Sequence, residues 1–234
     1  MYRPRLSYDK NKVPILKAKD IDVIAERMLL DYNPKLLKKP QAVDVEDFAF
    51  NYLKLKQDFQ YLSNSGLYLG MLVFNNTSKI PVYVPEVNRA EYISARAGTI
   101  IVDNSLIEDG QENRYRFTIG HECFHDIFHF EYYGAYNENQ ITFLDEVQKP
   151  LICCRAVSAY KEKNKRVWTD VDFMEYQANQ GSAALLMPET TVRLAVEELK
   201  QTEEDLLFLA YNISEIFKVS QESARYRLKH LGII

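Results

Sequence analysis

The stretch FTIGHECFHDIFHFE, residues 117–131, constrains the fold more than any other part of this sequence. It holds three of the chain's four histidines, and a glutamate directly follows the first of them. His121 and His125 are four residues apart, so a helix places both imidazoles on one face, one turn apart. Two interpretations are open at this point: a metal-binding hydrolytic site, or an amphipathic helix that merely contains histidines.

Hydrophobic periodicity predicts an α+β fold, mainly helical, with a small three-stranded sheet. The predicted helices cover Ala18–Tyr32, Asp44–Leu55, Asn113–Phe130 and Thr169–Met187. The predicted strands lie within Gly66–Phe74, Lys79–Glu86 and Ala97–Leu106. The expected helix caps are Asp20, Asn113, and either Thr169 or Asp170. The charged run Lys161–Arg166 is expected to be a solvated loop.

The tail is helical in pattern, with a break near Lys218–Gln221 and a stop at Gly232. The 234 residues suggest one large domain, or a domain with a small appendage. We therefore predict a main domain over residues 1–190 and a C-terminal helical appendage over residues 191–234.

Composition excludes several classes of protein. The net charge of −4 gives no support for binding nucleic acid. Three cysteines without a CxxC pattern form neither a disulfide framework nor a thiolate zinc site, and we expect them to be reduced and buried. The longest apolar runs, such as Leu67–Phe74, fall far short of the about 20 residues that span a membrane. A reduced, cytoplasmic protein is expected.

The sequence HECFH, residues 121–125, has the His-Glu-x-x-His arrangement of zinc hydrolases. His121 and His125 can both reach one zinc ion, and Glu122 can hold and deprotonate a water. A catalytic zinc needs a third protein ligand. His129 lies about 12 Å further along the helix and cannot easily supply it, and His230 is far away in the tail. A carboxylate from another segment is expected, and the open candidates are Glu131, Asp145, Glu146, Asp170, Asp172 and Glu175.

The predicted helix Thr169–Met187 is rich in small side chains, including Gly181 in its interior. Glycine at such a position costs about 1 kcal/mol relative to alanine. A compensating reason is expected, and close approach of another helix is one. Glu175 lies one turn before this patch.

These two segments resemble the motifs of the ImmA/IrrE family of zinc metallo-endopeptidases, RFTxAHExGHxxxH and ExxANxFAxxLLMP. The first motif matches at Arg116, Phe117, Thr118, His121, Glu122, His125 and His129. The second matches at Glu175, Ala178, Asn179, Ala183 and residues 185–188. The chain departs from the family at Phe124, where a small residue is usual, and at Gln180-Gly181, where Asn-Phe-Ala is commoner.

The resemblance implies a zincin-like metalloprotease domain with His121, His125 and Glu175 as zinc ligands and Glu122 as the general base. It also implies a protein substrate, by analogy a helix-turn-helix repressor controlling mobile-element or stress genes. We expect an extended substrate to add to an exposed strand edge such as that of Ala97–Asp103.

Two alternatives come from other classes. Residues 213–234 resemble a helix-turn-helix pair whose second helix carries Arg225, Arg227 and Lys229, which would suit a DNA-binding regulator. Residues 189–234 nevertheless hold six basic against eight acidic side chains, so nucleic acid is not the expected partner. A catalytically idle zinc-binding scaffold is the other alternative, and the presence of Glu122 argues against it.

Overall fold

The computed structural model describes residues 1–134, 152–155, 168–200 and 206–234, and confirms the α+β class. The helices are α1 (Ala18–Tyr32), α2 (Glu112–Phe128), α3 (Phe130–Tyr133), α4 (Asp170–Leu186), α5 (Glu189–Lys200), α6 (Leu206–Phe217) and α7 (Gln221–His230). The strands are β1 (Lys56–Gln60), β2 (Tyr68–Val73), β3 (Thr77–Val84), β4 (Arg89–Ala95), β5 (Thr99–Asp103) and β6 (Ile152–Arg155). A π-helical segment, Asp47–Tyr52, lies within the predicted second helix. The predicted loop Lys161–Arg166 lies outside the described residues.

The strands form two sheets. One has the order β1-β5-β2-β6, and the other is a two-stranded ribbon of β3 and β4. β5 runs parallel to β1 and antiparallel to β2, which is also antiparallel to β6. All three predicted strands are present: β2 and β5 lie in the larger sheet and β3 in the ribbon, and the described residues hold three further strands.

The expectation that Ala97–Asp103 offers an exposed edge is wrong. β5 pairs with β1 on one side and with β2 on the other, and each of its five residues is buried. Its apolar centre, Ile100–Val102, is typical of a strand covered on both faces. Within the described part of the sheet, the free edges belong to β1 and β6.

The two faces of the sheet pack against different partners because successive side chains of a strand point in opposite directions. Leu72, Ile100 and Val102 belong to the main core, which the helices share. Ile101 faces the other way and packs with Ile80 of the ribbon. The main-core face positions the histidine helix, since α2 packs directly on β2.

The structure corrects two of the predicted helix caps. Asp20 is the third residue of α1 rather than its cap, and its carboxylate accepts a hydrogen bond from the Lys17 N–H at 2.9 Å. Asn113 is the second residue of α2, which begins at Glu112. Thr169 caps α4 as predicted: its Oγ1 accepts from the Asp172 N–H, and the Asp172 carboxylate accepts from the Thr169 N–H.

The tail helices pack in the main core rather than apart from it. The buried tail residues of that core are Val192, Ala195, Val196, Leu209, Ile213, Phe217, Val219, Ala224 and Leu228. Arg116 of α2 also donates to the carbonyl of Lys218, at the predicted break between α6 and α7. The predicted domain boundary after residue 190 stays a prediction. No helix among the described residues is long and apolar enough to cross a membrane.

A buried ion pair joins the last helix to the first. Arg227 of α7 is 1 % exposed, and its Nη2 lies 2.7 Å from Oδ1 of Asp22 in α1. Arg227 Nε donates to the carbonyl of Met187, at the end of α4, at 3.0 Å. His230 Nε2 lies 3.6 Å from Asp22 on the same side. Arg227, one of the basic residues of the predicted helix-turn-helix, therefore points into the protein interior and not to solvent.

Replacing Arg227 with Met is expected to lower the free energy of unfolding by about 3–5 kcal/mol, because it leaves the Asp22 carboxylate buried without its partner. Equilibrium urea denaturation measures the loss. Arg225→Met is the matched control: Arg225 is exposed on the same helix, so its replacement should change the free energy by less than about 0.5 kcal/mol. Equal effects of the two substitutions would contradict the assignment of a stabilising role to the ion pair.

Candidate metal centre

Helices α2 and α4 cross at very short range, because a glycine of each faces a larger side chain of the other. A Cβ at Gly120 would lie 2.6 Å from Ser182 Oγ, and a Cβ at Gly181 would lie 2.2 Å from the ring of Phe124. Ser182 Oγ donates to the carbonyl of Phe117 at 2.9 Å, which links the two helices further. The small residues of α4 thus have the compensating role that the sequence predicted.

The two departures from the family motifs meet each other in space. Phe124 is fully buried, and its ring occupies the space beside Gly181 that a side chain there would need. A large residue at 124 and a glycine at 181 therefore complement each other in volume. The two positions therefore pack directly against each other between α2 and α4.

Replacing Gly181 with Ala is expected to destabilise the protein by about 1–3 kcal/mol through overpacking, although alanine is the better helix former by about 1 kcal/mol. Adding Phe124→Ala should recover much of the loss caused by the alanine methyl. Denaturant unfolding of the wild type, both single variants and the double variant forms a double-mutant cycle. Strictly additive effects would contradict direct packing between the two positions.

This helix contact brings three potential metal ligands together. The ligand atoms of His121, His125 and Glu175 all lie within 4.8 Å of one another. The two histidine Nε2 atoms are 2.8 Å apart. Glu175 Oε2 lies 3.5 Å from His121 Nε2, and Oε1 lies 3.4 Å from His125 Nε2. Two nitrogens and a carboxylate thus converge on one point between α2 and α4.

The donor set fits a zinc ion. Bonds of about 2.0–2.1 Å to nitrogen or oxygen in a tetrahedral arrangement put neighbouring ligands about 3.3 Å apart, close to the two distances that involve Glu175. Two histidines with a carboxylate from a second helix are a zinc ligand set of catalytic type. Both histidines are fully buried, whereas Glu175 is partly exposed, so the point of convergence lies near a solvent-accessible side.

The protonation states also suit a cation. Burial, and then the neighbouring His121, lower the pKa of His125 to about 4, so its ring is neutral at pH 7. Burial by itself would raise the pKa of Glu175, but its contacts with the imidazoles of His121 and His125 hold the pKa below its ordinary value. Neutral imidazole and ionised carboxylate are the forms that bind a metal.

Glu122 lies beside this cluster. It is fully buried, and among the described residues its carboxylate oxygens have no hydrogen bond of normal geometry, although the backbone N–H of Leu72 lies close enough to lower its pKa. Burial raises its pKa to about 8, the charge of Glu175 adds to the rise, and His121 opposes it. An unpaired buried carboxylate is costly, and a cation with its bound water is the kind of group that would satisfy it.

Gly70 of β2 makes room for this carboxylate. A Cβ at Gly70 would lie 2.4 Å from Cγ2 of Thr118 and 3.0 Å from Oε1 of Glu122. Any larger residue at this position would clash with Thr118 and crowd Glu122. Glycine in β2 therefore lets the sheet pack closely against the Glu122 side chain. The strand pattern that identified β2 contained no indication of this role.

Each histidine of the cluster is held from its far side by another side chain. His121 Nδ1 lies 3.0 Å from Oδ1 of Asn179, one turn beyond Glu175 on α4. His125 Nδ1 lies 2.9 Å from Nδ1 of His129, and His129 Nε2 lies 3.0 Å from Oε1 of Gln177. Gln177 was missed by the sequence reasoning, since neither motif marks it. Asn179 was within the second motif but had been given no role.

The other carboxylates proposed as third ligand lie elsewhere. Glu131 is exposed, Asp170 accepts a hydrogen bond from Asn11, and Asp172 belongs to the cap of α4. Asp145 and Glu146 lie outside the described residues. His129 lies behind His125, as its spacing predicted.

The cysteine within the motif, Cys123, is a free thiol, fully buried as expected. Burial, with the nearby Asp126, raises its pKa above the ordinary value, so the thiol stays protonated. The side chains of Cys153 and Cys154 lie outside what the structure describes.

Comparison with known families agrees with this geometry. The family model of peptidase M78, the IrrE N-terminal-like domain, matches residues 155–229. The matched range holds Glu175 and Asn179 but not α2, so the histidine motif and its contacts with α4 are separate observations. No curated protein matches the chain. The match covers about a third of the chain and supports an ImmA/IrrE family metallopeptidase.

Proposed function

We propose that this protein is a zinc-dependent endopeptidase of the cytoplasm, and that its substrate is a helix-turn-helix transcriptional repressor. The convergence of His121, His125 and Glu175 beside the fully buried carboxylate of Glu122 carries the proposal. The match of residues 155–229 to a peptidase family model supports a protein as the substrate. The repressor is an analogy with the family rather than a reading of the site.

His121, His125 and Glu175 would hold the zinc ion through Nε2, Nε2 and the carboxylate. When bound there, zinc lowers the pKa of a water and polarises a carbonyl oxygen. Asn179 and His129 keep the two imidazoles oriented towards the cluster. Because both rings are fully buried between α2 and α4, their orientation is already set before the metal arrives.

Glu122 acts as the general base and then as the general acid. A cation next to a carboxylate favours its charged form, so a bound metal counteracts the burial that raises the pKa of Glu122 to about 8. The ionised carboxylate takes the proton of the attacking water and then donates it to the leaving amine nitrogen. A base with a pKa near the working pH serves both steps.

The direct test is to incubate the zinc-loaded protein with a peptide library and with a panel of helix-turn-helix repressors, and to identify new termini by mass spectrometry. Internal cleavage that stops with a chelator and returns with zinc supports an endopeptidase. Cleavage of library peptides but of no repressor contradicts the substrate class alone. No cleavage of either, by protein that holds zinc, contradicts the enzymatic function and favours the scaffold.

The DNA-binding alternative loses part of its basis, because Arg227 is buried against Asp22. Arg225 and Lys229 remain exposed on α7. A binding constant for duplex DNA that falls steeply with salt concentration would support this alternative. We expect no such binding.

A further inference from the structure

His129 is the third histidine of the opening stretch, and the proposed reaction does not use it directly. It is fully buried at the end of α2, where a hydrophobic residue would pack without any need for partners. Instead both of its ring nitrogens are within hydrogen-bond distance of other buried groups. Nδ1 lies 2.9 Å from Nδ1 of His125, and Nε2 lies 3.0 Å from Oε1 of Gln177.

The far end of this chain of contacts sets the direction of every hydrogen bond in it. Gln177 Nε2 donates to the backbone carbonyl of Pro14 at 2.7 Å, and that oxygen can only accept. The amide group of Gln177 is thereby oriented, with its Oε1 turned towards His129. Since Oε1 also can only accept, the proton in the next contact must sit on His129 Nε2.

The next hydrogen bond of this chain reaches His125 in the metal centre. A neutral imidazole carries one N–H, so a proton on Nε2 leaves His129 Nδ1 as an acceptor. The ring is fully buried, and its hydrogen-bond contacts through Nδ1 and Nε2 are with an imidazole and an amide rather than a carboxylate, which favours the neutral form. The acceptor at Nδ1 requires the proton of His125 to be on its own Nδ1. The lone pair of His125 Nε2 is then directed at the ligand cluster.

The Pro14 carbonyl is itself fixed in place. Pro14 pairs with Tyr8 in an antiparallel bridge, and the Ile15 N–H donates to the carbonyl of Ser7 at 2.9 Å. Asp9 closes the intervening turn, because its carboxylate accepts from the backbone N–H of Val13 at 2.9 Å. The acceptor at the start of the chain of hydrogen bonds therefore belongs to an ordered turn.

We propose that Gln177 and His129 are positioning residues that hold His125 in the tautomer with its proton on Nδ1, so that Nε2 is free to bind the metal. This inference rests on the proposed function in taking His125 Nε2 as a ligand atom. The hydrogen bonds of Pro14, Gln177 and His129 connect the N-terminal turn to the metal centre. His121 has a direct contact of its own, between Nδ1 and Oδ1 of Asn179.

The first test is the tautomeric state of the histidines in the metal-free wild type, measured by long-range proton–nitrogen correlation NMR after labelling histidine with nitrogen-15. We expect His129 protonated on Nε2 and His125 protonated on Nδ1 at pH 7. A proton on Nδ1 of His129, or on Nε2 of His125, overturns the proposal. This measurement requires neither metal nor catalytic activity.

The second test is zinc affinity, measured by competition with a chromophoric chelator. His129→Phe keeps a buried ring but removes the acceptor, and we expect zinc to bind about 10–100-fold more weakly, as for other losses of such supporting hydrogen bonds. Gln177→Met removes the preceding link and should weaken binding in the same direction. Leu186→Ala is the matched control, because it makes a cavity in the main core at the far end of α4.

The control separates positioning from general destabilisation. We expect Leu186→Ala to lower the melting temperature while leaving zinc affinity unchanged. If both His129→Phe and Gln177→Met bind zinc with wild-type affinity, the proposed positioning role is overturned. If the wild type binds zinc and shows the expected tautomers of His125 and His129 but cleaves no peptide, the proposed function fails. The positioning role of Gln177 and His129 then still holds.

Discussion

Glu122→Gln is expected to lower the rate of peptide cleavage by about 10²–10⁴-fold, the range that a general acid–base group contributes. Glutamine keeps the size of the side chain but cannot take a proton from water. The amide also fits the buried position without a charge, so folding should not suffer. Turnover of a cleaved peptide, measured at saturating substrate and with zinc in excess, gives the effect directly.

Zinc affinity must be measured on the same variant, because Glu122 is not one of the converging ligands. We expect its dissociation constant for zinc to stay within a few-fold of the wild-type value. Glu131→Gln is the control: Glu131 is an exposed carboxylate just beyond the same helix, and its replacement should leave turnover unchanged. A fully active Glu122→Gln protein would contradict the proposed mechanism.

Glu175→Ala is expected to weaken zinc binding by more than about 100-fold, more than the loss of a supporting hydrogen bond does. The substitution removes the only carboxylate among the three converging ligands of the described structure. Two neutral imidazoles cannot compensate the charge of the ion as the carboxylate does. Competition with a chromophoric chelator over a range of zinc concentrations measures the change.

Glu131→Ala again provides the control, since Glu131 was a candidate for the third ligand on sequence alone. We expect its zinc affinity to equal that of the wild type. If Glu131→Ala loses zinc and Glu175→Ala retains it, the ligand set is wrong although the protein binds metal. If neither variant changes zinc affinity, zinc is held by residues outside this cluster.

Local patterns in the sequence predicted the helices well. The predicted bounds of α1 are those of the structure, and Thr169 caps α4. Helix periodicity and capping depend on residues close together in sequence, so they can be read without knowing the fold. The same reasoning placed His121 and His125 on one face of α2.

Long-range arrangement could not be predicted in this way. β1, whose sequence is KQDFQ, has little of the apolar character of a strand, yet it covers one edge of β5. The prediction of an exposed edge at Ala97–Asp103 failed for this reason. Strand order depends on which segments pair in space. A sequence pattern shows only how apolar and polar residues alternate within one segment.

The roles of two buried polar side chains, Arg227 and Gln177, could not be predicted for the same reason. Arg227 looked like a DNA-binding side chain, because a basic residue on a C-terminal helix gives no sign of a partner 205 residues earlier at Asp22. Gln177 looked like an ordinary helix residue, although it joins His129 to Pro14. In both cases the role depends on a contact between distant parts of the chain.

Metal content tests most directly whether α2 and α4 together hold one zinc ion. The purified wild type would be incubated with zinc, freed of unbound ion by desalting and measured by elemental mass spectrometry against protein concentration. We expect about one zinc per chain. Wild-type protein that retains no zinc after this treatment would contradict it and would make HECFH a helix that only resembles a metal site.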